Sequence, residues 1–301
     1  MLLRHPVLGR IGRTPLVELR RVPGPDGLRV FVKVESANPG GSVKDRAASA
    51  IVRAAVRAGQ LPALRLLDAT SGNTGIAYAM LGAALGFGVT LCVPGSASPE
   101  RLRILRAYGS EVIETDLLEG SDGAIRRARE MVAERPDLFF YADQYSNPAN
   151  PAAHEATTGP EMLDQLAGLP LDVFVAGLGT SGTFVGTSRY LRRASPHTRL
   201  VSVEPEGPFH GLEGLKHMAS AIVPAIYDPA LAALRVGVRT EEAHEMTRRL
   251  AREEGLFVGP SSGAAVVAAL QAGRELGART VATVLPDGGD RYLSDRLWGE
   301  P

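Results

Sequence analysis

At 301 residues, with 45% hydrophobic and 22% charged residues, the chain has the composition of a soluble globular protein of one or two domains. Its 33 basic and 33 acidic residues are interspersed, which argues against a nucleic-acid or membrane-surface partner. The single cysteine, Cys92, excludes an internal disulfide framework and suits a reducing cytoplasm; no stretch approaches the roughly 20 apolar residues of a membrane helix.

In chain order, the opening MLLRHPVLGRIGRTP shows no signal-peptide pattern. Short β-branched runs then predict strands at 29–35, 64–69, 89–94, 172–177, 199–204 and 280–285. Amphipathic, alanine-rich stretches predict helices near 43–58, 75–86, 99–108, 121–134, 183–193, 241–254 and 263–276. This alternation predicts an α/β protein whose parallel sheets carry helices on both faces. Ligands in such sheets bind where a strand gives way to a helix, and the glycine-rich turns lie there. YSNPANPAAH (145–154) is the best candidate for a domain crossover. The glycine- and proline-rich segment 205–229 reads as a mobile loop with a short helix. The six histidines show no ligand-spaced metal cluster.

Four constellations could carry chemistry. Lysine is scarce: only Lys33, Lys44 and Lys216 stand among the 33 basic residues. Lys44 lies in NPGGSVKDR, where Ser42 and Asp45 match a capping-box pattern and place the lysine in a helix's first turn. The positive helix end and burial both favour the neutral amine, which can form an imine with an aldehyde and later act as a base. Taken alone, Lys44 also reads as a solvated surface lysine. In DATSGNTGIAYAM, Thr70, Ser71, Gly72, Asn73 and Thr74 offer amides and hydroxyls to an anion, or simply cap a helix. In VAGLGTSGTFVG, Gly179, Thr180, Ser181, Gly182 and Thr183 could cradle a phosphate, although the spacing is neither GxxxxGK[ST] nor GxGxxG. In FVGPSSGAA, Ser261 or Ser262 caps a further helix. Together these parts match the needs of pyridoxal 5'-phosphate: an imine lysine, a phosphate cradle, a ring-oxygen donor and a ring-nitrogen partner.

The motifs IGRTPLVEL, NPGGSVKDR, TSGNTG, DQYSNPANPAAH, TTGPEM, GLGTSGTFVG, EEGLFVGPSSGAA and PDGGDRYLS, in order along the chain, resemble the cysteine synthase family, the B type more closely. The resemblance implies a tryptophan-synthase-β-like fold of two open twisted-sheet domains with the cofactor in the interdomain cleft. It assigns 38–146 to a smaller, mobile domain carrying the substrate loop, and 1–37 with 147–301 to a larger one. Lys44 would hold the cofactor aldehyde; Thr70, Ser71, Gly72, Asn73, Thr74 and Gln144 would hold the substrate carboxylate, with Asn73 also on the cofactor. Gly179 to Thr183 would cradle the phosphate, and Ser261 would face the ring nitrogen. A neutral serine there favours loss of a β-leaving group over transamination, so the implied reaction is β-replacement. It would make L-cysteine from O-acetylserine or O-phosphoserine and a sulfur donor such as sulfide. Two departures stand out. Arg13 replaces the family's usual asparagine, and PFHGLEGLKHMASAIVPAIYDP (208–229) brings Lys216, flanked by His210 and His217, as a candidate contact to a leaving phosphate.

Competing readings are cystathionine β-synthase or serine/threonine dehydratase chemistry on the same cofactor, a nicotinamide-dependent oxidoreductase, and a catalytically silent partner-binding relative. The oxidoreductase lacks a full GxGxxG and leaves Lys44 unexplained. A homodimer, and binding of a serine acetyltransferase tail or a sulfur-carrier protein, follow from the resemblance alone.

Overall fold

The computed structural model describes residues 4–70 and 72–299. The chain forms two compact units. One comprises Asn38–Asn150 with the opening segment up to Ile11; the other comprises Gly12–Ala37 with the chain from Pro151 onward. The smaller unit thus includes a segment that sequence alone groups with the larger domain. The reason is apolar burial: Leu8, in the 3-10 turn Pro6–Arg10, joins the smaller unit's core beside Ile51, Leu66 and Tyr78.

The chain opens with β1 (Leu16–Glu18) and β2 (Arg29–Val34). It then alternates through α1 (Lys44–Arg57), β3 (Arg65–Ala69), α2 (Asn73–Leu85), β4 (Val89–Pro94), α3 (Pro99–Ala107), β5 (Glu111–Thr115), α4 (Gly120–Glu134) and β6 (Phe139–Tyr141). These four strands form a parallel sheet in the order β5-β4-β3-β6. One face is covered by α1 and α2, the other by Ile125, Ala128 and Met131 of α4. With both faces covered, β4 reads VTLCVP and is buried at every position. Cys92, in its centre, lies against Met131 with the sulfurs 3.7 Å apart, and burial pushes its thiol up to about 11.

The remaining elements are α5 (Ala149–Ala156), α6 (Thr158–Gln165), β7 (Val173–Gly177), α7 (Gly182–Ala194), β8 (Arg199–Pro205), β9 (Leu234–Val238), α8 (Thr240–Glu254), α9 (Pro260–Glu275) and β10 (Thr280–Leu285). With β1 and β2 the later strands make a six-stranded sheet, β1-β2-β10-β7-β8-β9, parallel except for β1 at its edge. Its core is built from Val30, Val32, Val175, Val203 and Val281 under α8 and α9. The short helix expected within 205–229 does not form. Turns run from Glu206 to Asp228, where prolines and glycines interrupt the helical hydrogen-bond ladder, and a 3-10 turn follows at Pro229–Leu231.

Candidate active site

In the smaller unit, Lys44 is the first residue of α1 and is half-buried. The capping box predicted around it is not formed. Val43, in helical conformation, takes the cap position without a side-chain bond, while Ser42 Oγ accepts from Lys44 N–H at 3.2 Å. The Asp45 carboxylate turns back past Ser42 and accepts from Gly40 N–H at 2.5 Å. A Cβ at Gly40 would strike that carboxylate, so the glycine permits the close approach. Asn38 Nδ2 donates to Ser42 O at 3.1 Å, so the turn before Lys44 is fixed from two sides. Asp45 and the helix dipole balance each other at the start of α1. Helix α1 packs along α2, whose first residue is Asn73.

The turn before α2 is shaped from within. Thr70 Oγ1 accepts from Gly72 N–H at 3.0 Å and Gly75 N–H at 3.2 Å. Gly72 adopts φ 148°, a conformation for glycine, and a Cβ there would run into the buried Arg101 side chain. Ser71 lies outside the described residues. Asn73 is half-buried, while Thr74 is buried and donates through Oγ1 to Gln144 Oε1 at 2.7 Å. Gln144 Nε2 donates in turn to Ala69 O at 2.6 Å. The structure thus brings Gln144 onto the 70–74 turn across about seventy residues of sequence. Asp68 and Arg101, both buried beside this turn, escaped the sequence reading. The available signal was a carboxylate directly after the apolar pair Leu66 and Leu67 and ahead of the polar turn.

In the larger unit, the glycine turn after β7 leads into α7. Thr180 and Ser181 are buried, Gly179 and Thr183 half-buried. Gly179 is packed so closely on Gly214 that a Cβ would strike the Gly214 carbonyl. Ser181 caps α7 in the left-handed conformation, φ 68°, which is unusual for serine. Its buried hydroxyl has no hydrogen-bond partner among the described residues. A strained backbone and an orphaned hydroxyl at the N-terminus of a 13-residue helix suit a phosphate. Thr183 Oγ1 lies 3.4 Å from His154 Nε2, whose other ring nitrogen is 2.9 Å from Thr158 Oγ1.

Ser261 and Ser262 do not cap α9, contrary to expectation. Gly259 takes the cap position, Pro260 presets the first helical residue, and both serines are buried in the first turn. Lys216 is buried; its backbone N–H donates to Leu178 O at 2.7 Å, which ties it to the glycine turn. Its Nζ reaches the Ile222 carbonyl at 3.5 Å. No helix among the described residues is long and apolar enough to cross a membrane.

Comparison with known proteins assigns this architecture. The family model for "Pyridoxal-phosphate dependent enzyme" matches residues 7–287. The chain is 45% identical to a cysteine synthase of Aquifex aeolicus, covering 99% of this chain and 93% of that one. Among solved structures, a cysteine synthase of Entamoeba histolytica superposes with TM-score 0.91 at 35% identity, covering 98% and 90% of the two chains. An O-acetylserine dependent cystathionine beta-synthase of Helicobacter pylori superposes with TM-score 0.90 at 37% identity, covering 97% and 98%. A matched family model over nearly the whole length, on a fold that already offers a helix-start lysine and a glycine-rich turn at a helix start, leaves one conclusion: the chain belongs to the pyridoxal-phosphate dependent enzymes.

Proposed function

We propose that the protein makes L-cysteine by β-replacement on an O-activated L-serine. The observation that carries this reading is Lys44, one of three lysines, half-buried as the first residue of α1 in the unit that also holds the 70–74 turn and Gln144. Bound pyridoxal phosphate supplies an aldehyde that condenses with amines and a ring that acidifies the substrate Cα–H. With the cofactor bound, Lys44 Nζ would be the amine that holds its aldehyde, and as a free amine it would take the Cα proton of the substrate. Thr70, Gly72, Asn73, Thr74 and Gln144 orient the substrate carboxylate; Ser71 is assigned with them from sequence alone. The acyl or phosphoryl oxygen leaves from Cβ with its electron pair, and hydrosulfide adds there. Gly179 to Thr183 would hold the phosphate and the uncharged Ser261 hydroxyl would partner the ring nitrogen, which favours exchange on Cβ over transamination.

In this reading the unit Asn38–Asn150, with the opening segment up to Ile11, would serve as the substrate-loop domain, and Gly12–Ala37 with the chain from Pro151 onward as the cofactor-holding one. The enzyme would be a cytoplasmic homodimer, and a serine acetyltransferase tail or a sulfur-carrier protein would be its protein partner. O-acetylserine is the default donor. Lys216, whose Nζ lies 3.5 Å from the Ile222 carbonyl, would favour O-phosphoserine if it meets the leaving phosphate. The similarity to the Helicobacter pylori enzyme favours one second reading, homocysteine as the nucleophile.

The test is visible absorbance of the purified protein followed by assays with each serine ester, using sulfide and then homocysteine. A yellow band and cysteine formation are expected. Lys44→Ala should fold and lose at least ~10²–10⁴ in turnover, the scale of general acid–base catalysis. Full turnover by the folded variant, or no band after pyridoxal phosphate is added to the unaltered protein, overturns the reading.

A further inference from the structure

Strand β3 buries a carboxylate at its C-terminal end. Asp68 follows Leu66 and Leu67 and is fully buried. Its Oδ1 accepts from Ala69 N–H at 2.8 Å and its Oδ2 from Gln144 N–H at 3.3 Å. Gln144 is held at three further points. Its Nε2 donates to Ala69 O at 2.6 Å, its Oε1 accepts from Thr74 Oγ1 at 2.7 Å, and its carbonyl accepts from Asn150 Nδ2 at 2.8 Å. Asp68 therefore closes a ring running through Ala69, the 70–74 turn, Thr74 and Gln144. An apolar side chain would satisfy the strand; a carboxylate there carries a desolvation cost that its two amide donors offset only in part.

We infer that Asp68 is a positioning residue: its ionised carboxylate fixes Gln144 against the 70–74 turn and thereby sets the grip of that turn on a substrate carboxylate. The inference deepens the proposed function and rests on it for the identity of the ligand. Several titratable groups act on Asp68 or share its surroundings: Tyr78 of α2, Asp143 after β6, Tyr141 of β6, Tyr145 and Cys92 of β4. The Tyr78 hydroxyl faces the Asp68 carboxylate as a hydrogen-bonding neighbour, although its geometry falls short of a well-formed bond. Asp143 holds φ 42° and keeps one buried carboxylate oxygen without a partner among the described residues. Burial, aided by Asp143, pushes the Asp68 carboxyl up to about 7, while the Ala69 amide, the Tyr78 hydroxyl and the Gln144 amide pull the other way. Protonation places an O–H where the ring needs an acceptor. The ring is therefore tight above neutrality and loosens as pH falls through about 7.

Two readouts test this. The first is amide hydrogen exchange of residues 69–76 and 143–147, corrected for intrinsic rates, in the unaltered chain and in Asp68→Asn between pH 6 and 8.5. Protection that rises with pH in the unaltered chain and stays flat in the variant is expected. The second is the split between KM and kcat for the activated serine. Asp68→Asn should raise KM roughly 10- to 100-fold at pH 8.5, as expected for losing a hydrogen bond to a charged group, with kcat and the cofactor band nearly unchanged. Asp143→Asn should move the pH midpoint of both readouts downward, and this keeps the test open if Asp68→Asn does not fold. Equal protection at all pH values, an Asp68→Asn enzyme with unaltered KM, or an unmoved midpoint in Asp143→Asn overturns the inference. If the unaltered protein makes no cysteine, the functional reading fails, and the exchange data still decide the role of Asp68.

Discussion

Arg13 carries an arginine in a backbone conformation that suits asparagine or glycine. It sits at φ 50° beside Gly12 at φ 88°, exposed, where the chain turns toward β1. A non-glycine residue in the left-handed region costs of order 1 kcal/mol, and asparagine tolerates it better than most. Arg13→Asn should therefore stabilise the protein by roughly 0.5–1 kcal/mol, read as a raised denaturant midpoint with an unchanged slope. The backbone angle gives the family's usual asparagine a physical reason that the letters alone did not supply. Lys44 and the glycine turn stood out from residue type and spacing because a lysine at a helix start and a strand–helix glycine turn are local patterns. Gln144 came only from the family resemblance, since its place on the 70–74 turn is a long-range contact. Asp68 was not legible: its significance lies in the hydrogen bond it accepts from the Gln144 N–H, which no local pattern encodes.

Helix α8 ends on a carboxylate, the wrong charge for the negative end of a helix dipole. Glu254 is held there by other means, accepting from the backbone N–H groups of Arg20, Arg21 and Val22 at 2.7 to 3.0 Å. It thereby pins the loop between β1 and β2 to α8. Glu254→Ala leaves these amides without their acceptor and should cost about 1.5–3 kcal/mol, measured by chemical denaturation. Rescue by Glu254→Gln should be partial, because one end of the amide is a donor facing donors. The same scale shows what sequence patterns could carry. All six strands expected from apolar runs formed, and the four others, β1, β5, β6 and β9, are the outer strands of the two sheets. Edge strands are short and half-covered, so they lack the continuous β-branched run that marks a central strand. Helices α5 and α6 were missed because Pro151 and Pro160 read as breakers; each falls in a first turn, where the missing N–H costs nothing.

At the scale of the whole molecule, the chain builds one unit from Ile11 backwards and Asn38 onwards and the other from the two remaining stretches. Leu8 is the clearest mark of that interleaving, buried in a core whose other members begin about forty residues later. Leu8→Ala should destabilise the protein by roughly 2–5 kcal/mol despite its place near the chain's start, with the loss appearing in the unfolding of the smaller unit. The alternation of strand and helix predicted two parallel-sheet layers correctly. It could not show that an N-terminal turn completes the smaller core, because a 3-10 turn of five residues has no periodicity to read.

Cys92 gives the molecule a practical property. The protein's one thiol is sealed in β4 against Met131, and burial holds it in the protonated, unreactive form at neutral pH. A protein proposed to handle sulfide thus presents no surface thiol of its own. A cysteine introduced at exposed Leu118 would be the sole reactive handle for a fluorophore or spin probe, with no native residue to remove first.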